Sequence, residues 1–313
     1  MKKSEQSREE YRKADRVVLS DPAQLDGSAT DTRPRHDSVT FWADPSCDGL
    51  EAAATWLRNH CFRPHTHDSL MIGLIDVGTK FFMRGRSRYW AAPGSISIVN
   101  AGDLHTGCRA RGDELRYRAL YIPVAVFADA AGTSGVGDPP GFQSGVIEDP
   151  WVFGALARLH TAIVGGHSTL EREQLLLEAI CYLTSCYGSA WRPRDQSIAE
   201  APAAVRAAYE MIYTQFVEDL SVSRVASAVG SSPYHLMRQF RRHVGMPMHA
   251  LQTQRRVDLG RRLLLQGMPA STVALEVGFA DQSHFSKRFK EVVGASPASY
   301  QRNMLTTNSG SRP

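Results

Sequence analysis

Val225-Ala226-Ser227-Ala228-Val229-Gly230 and Val273-Ala274-Leu275-Glu276-Val277-Gly278 are one phrase written twice in the same chain. The first copy continues through Leu236, Arg238, Phe240 and Arg241 to Gly245, and the second through Phe285, Lys287, Phe289 and Lys290 to Gly294. The offset is 48 residues at the start and 49 after the turn. Gly230 suits the left-handed residue that ends a helix, and Ser232-Pro233 supplies a cap and a first-turn proline for the next one. Helix, short turn and second helix, occurring twice, predict a duplicated binding module.

Helical angles assign its faces. Advancing about 100° per residue from Leu236 puts Phe240 near 40°, so the buried direction lies near 20°. Arg238 then falls near 200°, directly opposite, flanked by Tyr234, His235, Arg241 and Arg242. An ordinary solvated face mixes in acids, yet no Asp or Glu occurs between Asp219 and Asp258. Such a face suits phosphates and base edges. In the second copy Phe285 and Phe289 define the buried side and Lys287 lies opposite, with Ser283, His284, Lys290 and Glu291 around it. Asp281 and Gln282 start this helix, and Asp281 is read as its cap. Between the copies, Pro247 to Gln266 reads as one helix carrying Leu251, Val257, Leu263 and Leu264 with Arg255, Arg256, Arg261 and Arg262. About 20 residues at about 1.5 Å each span roughly 30 Å, close to the roughly 34 Å of one DNA turn. The connector would therefore set two reading helices in successive major grooves.

Composition agrees with that partner. The 313 residues carry a formal charge of +4 and leave room for roughly two domains. Residues 200–313 hold 14 Lys+Arg against 8 Asp+Glu, whereas residues 1–199 hold 22 against 24. A basic half that carries the repeat points to nucleic acid. The cysteines, Cys47, Cys61, Cys108, Cys181 and Cys186, are odd in number and form no C-x-x-C pair. They predict neither a disulfide framework nor a thiolate zinc site, and they favour a reducing cytoplasm. No run of about 18 apolar residues occurs and the charged N-terminus lacks an apolar core, so no membrane partner is expected.

Residues 1–38 balance 8 Lys+Arg with 8 Asp+Glu, contain few large apolar groups and are predicted disordered. From Phe41 to Pro123 short apolar runs alternate with turn signals. Ala53–Leu57, Ser69–Val77, Lys80–Arg84, Ser87–Ala91, Ser95–Val99 and Leu115–Ile122 read as strands of an antiparallel sandwich or small barrel, with room for one small ligand. His65 and His67, two apart on an extended segment, share a face, and His105 can join them from a neighbouring strand. Trp90 and Arg109 are the further candidates for contact with an effector, beside Arg63. After Asp149-Pro150, Val152, Leu156, Leu159 and Ile163 mark a helix, and Ser168-x-x-Glu171 opens a second with Leu175, Leu176, Ile180, Leu183 and Tyr187. This hairpin either completes the core or offers its stripe to a second subunit. Trp191 to Ser197 is polar and proline-broken and reads as a linker, followed by a helix from Pro202 to Val217.

The two histidine regions resemble the cupin fold, whose metal-binding members use an H-x-H pair, a downstream Glu and a later His. Here Met71 and Ile72 stand where the Glu belongs, and Asn100 replaces the proline of the second motif. No metal is therefore expected, and the imidazoles are read as hydrogen-bonded or ligand-contacting. Gly278-Phe279-Ala280-Asp281-Gln282-Ser283-His284-Phe285-Ser286-Lys287-Arg288-Phe289-Lys290, followed by Gly294-x-x-Pro297-x-x-Tyr300, resembles the signature of the AraC/XylS regulators around their second helix-turn-helix.

That resemblance implies an α+β multidomain fold: an N-terminal antiparallel cupin-like barrel with a helical hairpin, then an all-α double helix-turn-helix. It divides the chain into a disordered segment 1–38, an effector-binding and dimerisation domain 39–190, a linker 191–200, a DNA-binding domain 201–304 and a flexible tail 305–313. It assigns base-reading places to Tyr234, Met237 and Arg238 and to Gln282, Ser283, His284 and Lys287. The helical faces add His235, Arg241, Arg242 and Lys290. Met237 cannot make a bidentate base contact, and Gln301 stands where the family often has Arg. The implied protein is a cytoplasmic, effector-responsive transcription regulator, an activator acting with RNA polymerase, a homodimer through its N-terminal domain, with no cofactor and no enzymatic activity. Two alternatives stand beside it. One is a metal-dependent cupin enzyme built on His65, His67 and His105, with an attached helical domain. The other is a regulator that senses oxidation at Cys61 or Cys108.

Overall fold

The computed structural model describes residues 36–44, 47, 49–132, 140–189 and 198–309. The expected linker up to residue 197, the segment before residue 36 and the last four residues lie outside these.

Among the described residues, eight antiparallel strands form the N-terminal half: β1 (Ser38–Ala43), β2 (Glu51–Leu57), β3 (Phe62–His65), β4 (Ser69–Arg84), β5 (Ser87–Ala91), β6 (Ile96–Val99), β7 (His105–Pro123) and β8 (Val146–Ile147). The path runs β1-β2-β7-β4-β6-β8, with β3 on β7 and β5 on β4, so the sheet is bent but not closed. The two long strands change partners along their length. β4 pairs β6 over Met71–Leu74 and β5 over Lys80–Arg84. β7 pairs β3 near its start and β2 from Leu115 to Tyr121.

Ser69–Val77 and Lys80–Arg84 are thus arms of one strand, where the sequence had suggested two strands and a turn at Gly78. The β4–β7 ladder continues across this point with register shifts. Gly78 sits there at φ +76°, and a Cβ would stand 2.1 Å from the carbonyl oxygen of Glu114. A bulge that only glycine fits bends the strand without ending it. Ser38 already belongs to β1, so order begins within the segment expected to be disordered.

Alternation along β4 divides the core. Leu70, Ile72 and Leu74 face outward onto helices α2 (Pro150–Val164) and α3 (Thr169–Tyr187), meeting Leu156, Leu159 and Ile163 of the first and Leu176, Ile180 and Leu183 of the second. The hairpin therefore completes a core. Asp149 caps α2 by accepting from the amides of Trp151 and Val152, and Ser168 caps α3 by accepting from that of Glu171. A short helix α1 (Val124–Ala130) precedes them, and its Phe127 joins the same cluster.

Among the described residues seven helices follow: α4 (Ala203–Thr214), α5 (Val222–Ala228), α6 (Pro233–Val244), α7 (Met248–Leu265), α8 (Ala270–Glu276), α9 (Gln282–Val293) and α10 (Pro297–Ser309), the last running past residue 304. Val205, Ile212, Val225, Leu236, Phe240 and Leu251 make one core. Val257, Leu264, Val273, Phe285, Phe289 and Tyr300 make another, and this one is continuous with Val39, Phe41, Met71 and Ile75 of the sheet. The connector α7 thus starts in the first core and ends in the second. The second helical unit has no core separate from the N-terminal half.

Cys61 and Cys108 are joined as a disulfide, with Cα atoms 4.6 Å apart. This corrects the expectation drawn from cysteine spacing. Phe62 lies opposite Gly107 in the β3–β7 pair, which brings together cysteines separated by 47 residues. Among the described residues no helix is long and apolar enough to cross a membrane.

Candidate functional site

The faces predicted by helical angle are the faces that solvent meets. In α6 the hydroxyl of Ser232 accepts from the His235 amide at 3.3 Å, Pro233 fills the first turn, and Gly245 ends the helix at φ +79°. Leu236, Phe240 and Val244 are buried. Tyr234 is 73% and Met237 44% exposed, and His235, Arg238, Arg241 and Arg242 are exposed beside them. Tyr234, Met237, Arg238, Arg241 and Arg242 line one open groove. Among the described residues no carboxylate pairs with these three arginines. A cluster of unpaired guanidiniums on one helix is an anion-binding surface.

In α9 the carboxylate of Asp281 accepts from the His284 amide at 2.8 Å, the capping role expected of it. Phe285 and Phe289 are buried, while Gln282, Ser283, His284, Lys287 and Lys290 are exposed. The His284 ring meets Phe279 edge-on at 5.2 Å, and Lys290 borders a hollow with Asp37, His60 and Gly294 at the sheet's margin. Between α6 and α9, α7 has 18 residues, about 27 Å at about 1.5 Å per residue. Two of its arginines serve the fold. Arg255 lies 3.8 Å from the Tyr213 ring centroid, and Arg256 donates to the carbonyls of Phe216, Glu218 and Gly278.

A cavity of about 50 Å³, open to solvent at its mouth, lies where the sheet meets this helical half. His65, His67, Lys80, His105, Tyr117 and Tyr121 line it from the sheet, and Asp258, Arg261, Val292 and Val293 from α7 and α9. The three imidazoles meet as the sequence predicted. Ring centroids are 4.1 Å apart for His65 and His105, 4.7 Å for His67 and His105, and 6.2 Å for His65 and His67.

Each Nδ1 lies against a backbone carbonyl: His65 on Arg63 at 2.7 Å, His67 on Ser69 at 2.7 Å, His105 on Asp103 at 3.0 Å. A carbonyl can only accept, so Nδ1 carries the proton and Nε2 presents a lone pair. The Nε2 of His67 is buried without a partner. Burial holds all three rings neutral, pushing His65 down to about 4, His67 to about 3 and His105 well below the usual imidazole value. Among the described residues no group of three or more His, Cys, Asp or Glu is arranged to hold a metal.

Lys80 was not singled out by sequence. It is 4% exposed, donates to Ser97 Oγ at 3.2 Å, and lies 4.6 Å from the Tyr117 ring and 5.3 Å from that of Phe82. Burial lowers its ammonium to about 7, and burial raises the Asp258 carboxyl to about 7, with Asp68 adding to the rise. The only early hint was parity, since Lys80 and Phe82 share the buried face of β4.

Trp90 and Arg109 do not reach the cavity, which corrects their assignment. Trp90 pairs with Phe81 on the opposite face of the β4–β5 ladder and is 57% exposed. The Arg109 guanidinium turns to the surface, where the carbonyls of Arg58 and Gly112 hold it.

Polar contacts close the seam around the cavity. Tyr300 donates to Glu51 at 2.7 Å, Arg261 donates to Tyr300 Oη at 3.3 Å and also to Glu51. Gln254 of α7 exchanges hydrogen bonds with the backbone of Thr66, accepting from its amide at 3.0 Å.

Comparison with known proteins gives two family matches. The model of an AraC-like ligand binding domain matches residues 49–180, and that of a helix-turn-helix domain matches residues 225–303. An uncharacterized HTH-type transcriptional regulator, YbfI of Bacillus subtilis strain 168, is 27% identical over 224 residues, covering 71% of this chain and 81% of the relative. The arabinose operon regulatory protein of Escherichia coli K12 is 33% identical over 136 residues, covering 41% of each chain. The HTH-type regulator MtrA of Neisseria gonorrhoeae is 36% identical over 87 residues, 27% of this chain and 29% of the relative. Among solved structures, ToxT of Vibrio cholerae with unsaturated fatty acid bound has a TM-score of 0.51 at 13% identity, covering 82% of this chain and 96% of that one.

Proposed function

The chain belongs to the AraC/XylS family of transcription regulators, pairing an AraC-like ligand-binding domain with a helix-turn-helix domain, and on that premise we propose that a small molecule in the cavity controls how α6 and α9 engage DNA. One observation carries this. The cavity wall includes Arg261 of α7 and Val292 and Val293 of α9, so the helix that presents Gln282 and Lys287 also touches the ligand space. A ligand that fits one seating of α9 better than another shifts the population between them, by its differential affinity and no more.

In this account Tyr234, His235, Met237, Arg238, Arg241 and Arg242 meet one major groove, and Gln282, Ser283, His284, Lys287 and Lys290 the next. His65, His67 and His105 contact the effector. The chain works in the cytoplasm as an activator that helps recruit RNA polymerase, binds rather than turns over its ligand, and pairs with a second copy through its N-terminal half. Mass spectrometry of freshly purified protein identifies a co-purifying ligand, and operator affinity is then measured with and without it. A change of about fivefold or more is expected. Unchanged affinity contradicts effector control.

The disulfide supports a second reading. It ties β3 to β7, and Phe62 beside it reaches Gly294 at the end of α9, where a Cβ would lie 3.0 Å from the Phe62 ring. Reduction would loosen β3 and with it the seat of α9. Operator affinity that is equal for oxidised protein, reduced protein and Cys61→Ser removes this reading.

A further inference from the structure

The cavity holds a buried amine without a counter-charge. The Lys80 ammonium has three N–H donors, and Ser97 Oγ takes one. Among the described residues no carboxylate lies within ion-pair distance of it. Two glycines make its channel. A Cβ on Gly73 would stand 3.6 Å from its Nζ and 2.5 Å from Ser97 Oγ, and one on Gly107 would stand 3.8 Å from its Cε. His65, His67 and His105 line the same space, their Nε2 atoms are acceptors because each Nδ1 donates to a carbonyl, and that of His67 is buried without a partner. The cavity thus offers one buried amine with no carboxylate partner and a cluster of acceptors, with Asp258 and the Glu51-paired Arg261 on the wall that α7 contributes. Its complement is a molecule with one anionic group and several hydroxyl donors.

We infer that the cavity takes a hydroxylated carboxylic acid of the sugar-acid class, its carboxylate on Lys80 and its hydroxyls donating to the imidazoles of His65, His67 and His105. This rests on the reading of the cavity as an effector site. A neutral sugar leaves Lys80 uncompensated, and a plain fatty acid leaves the histidine acceptors unpaired, which costs affinity. Arg261, reaching the cavity from α7, adds a second donor group beside its bonds to Glu51 and Tyr300 and makes the bound acid touch both halves of the protein.

Titration calorimetry on the full chain with gluconate and glucuronate, against glucose and hexanoate, tests this. Each sugar acid should bind at least about tenfold tighter than either control, the discrimination expected when a site built for a hydrogen-bonding or charged group meets an analogue lacking it. In Lys80→Met the preference for sugar acid over glucose should vanish while circular dichroism stays unchanged. Glucose binding as tightly as gluconate overturns the acid assignment, and hexanoate doing so overturns the hydroxyl assignment. If neither sugar acid binds while a co-purifying compound still alters operator affinity, this inference falls and effector control stands. If no compound binds or alters operator affinity, both fall.

Discussion

The phenol of Tyr300 donates to the carboxylate of Glu51 across 2.7 Å, joining the last helix of the DNA-binding half to the second strand of the sheet. Arg261 of the connector donates to the same carboxylate, so three elements far apart in sequence share one buried charge. Tyr300→Phe deletes a hydrogen bond to a charged group, and urea unfolding should register a loss of about 1.5–3 kcal/mol. Glu51→Ala should cost more, about 3 kcal/mol, because the half-buried Arg261 loses its carboxylate. Equal, small effects would mean that the seam is held by its apolar contacts alone.

Lys80→Met should stabilise the ligand-free protein. The folded value of Lys80, about 7, lies below the ordinary 10.5 because burial disfavours the ammonium. Between those values the unfolded chain takes up a proton that the folded chain refuses, so stability falls as pH drops through this window. The advantage of the variant should therefore grow from about pH 10.5 to about pH 7 and stay level below, reaching at most about 5 kcal/mol. Denaturant unfolding at pH 7 and pH 9.5 measures it. A variant less stable than the parent at pH 7 contradicts the uncompensated amine.

The histidine cluster sets the acid limb. His65 and His67 have folded values of about 4 and about 3, below the ordinary 6.5, because burial penalises the imidazolium. The unfolded chain protonates first, so stability should fall as pH drops from about 6.5 toward 4, by about 1.4 kcal/mol per pH unit for each such group. Replacing His65 by Gln should flatten that slope. An unchanged slope would place the acid sensitivity elsewhere.

Arg238→Ala should cost about 1–3 kcal/mol on operator DNA if Arg238 reads a base, with a smaller loss on random sequence. Competition titrations on the two DNAs separate these cases. Equal losses reassign Arg238 to a phosphate.

The DNA-binding half was legible because its signals are local. Gly230, Ser232-Pro233 and Asp281 fix turns and caps within a few residues, and Leu236 with Phe240 fixes a face by angle alone. The cavity was half legible. His65 ends β3 opposite His105, and His67 follows two residues on, so spacing brought the imidazoles together. Arg261 and Asp258 enter the same space from nearly 200 residues away, and no periodicity announces that. Gly78 misled for a physical reason. A positive-φ glycine signals a turn and a bulge equally well, and only the ladder to β7 decides between them. The Cys61–Cys108 pair was hidden likewise, since it depends on the register of β3 against β7.

The central claim is that α6 and α9, held by α7, read two unlike sites on one side of the duplex. Sequencing of genomic DNA bound by the purified chain, with footprinting of the enriched fragments, tests it most directly. Two half-sites of different sequence, with centres about 10–10.5 base pairs apart, are predicted. Enrichment no greater than for random DNA, or a single protected half-site left unchanged by Lys287→Ala, would contradict it.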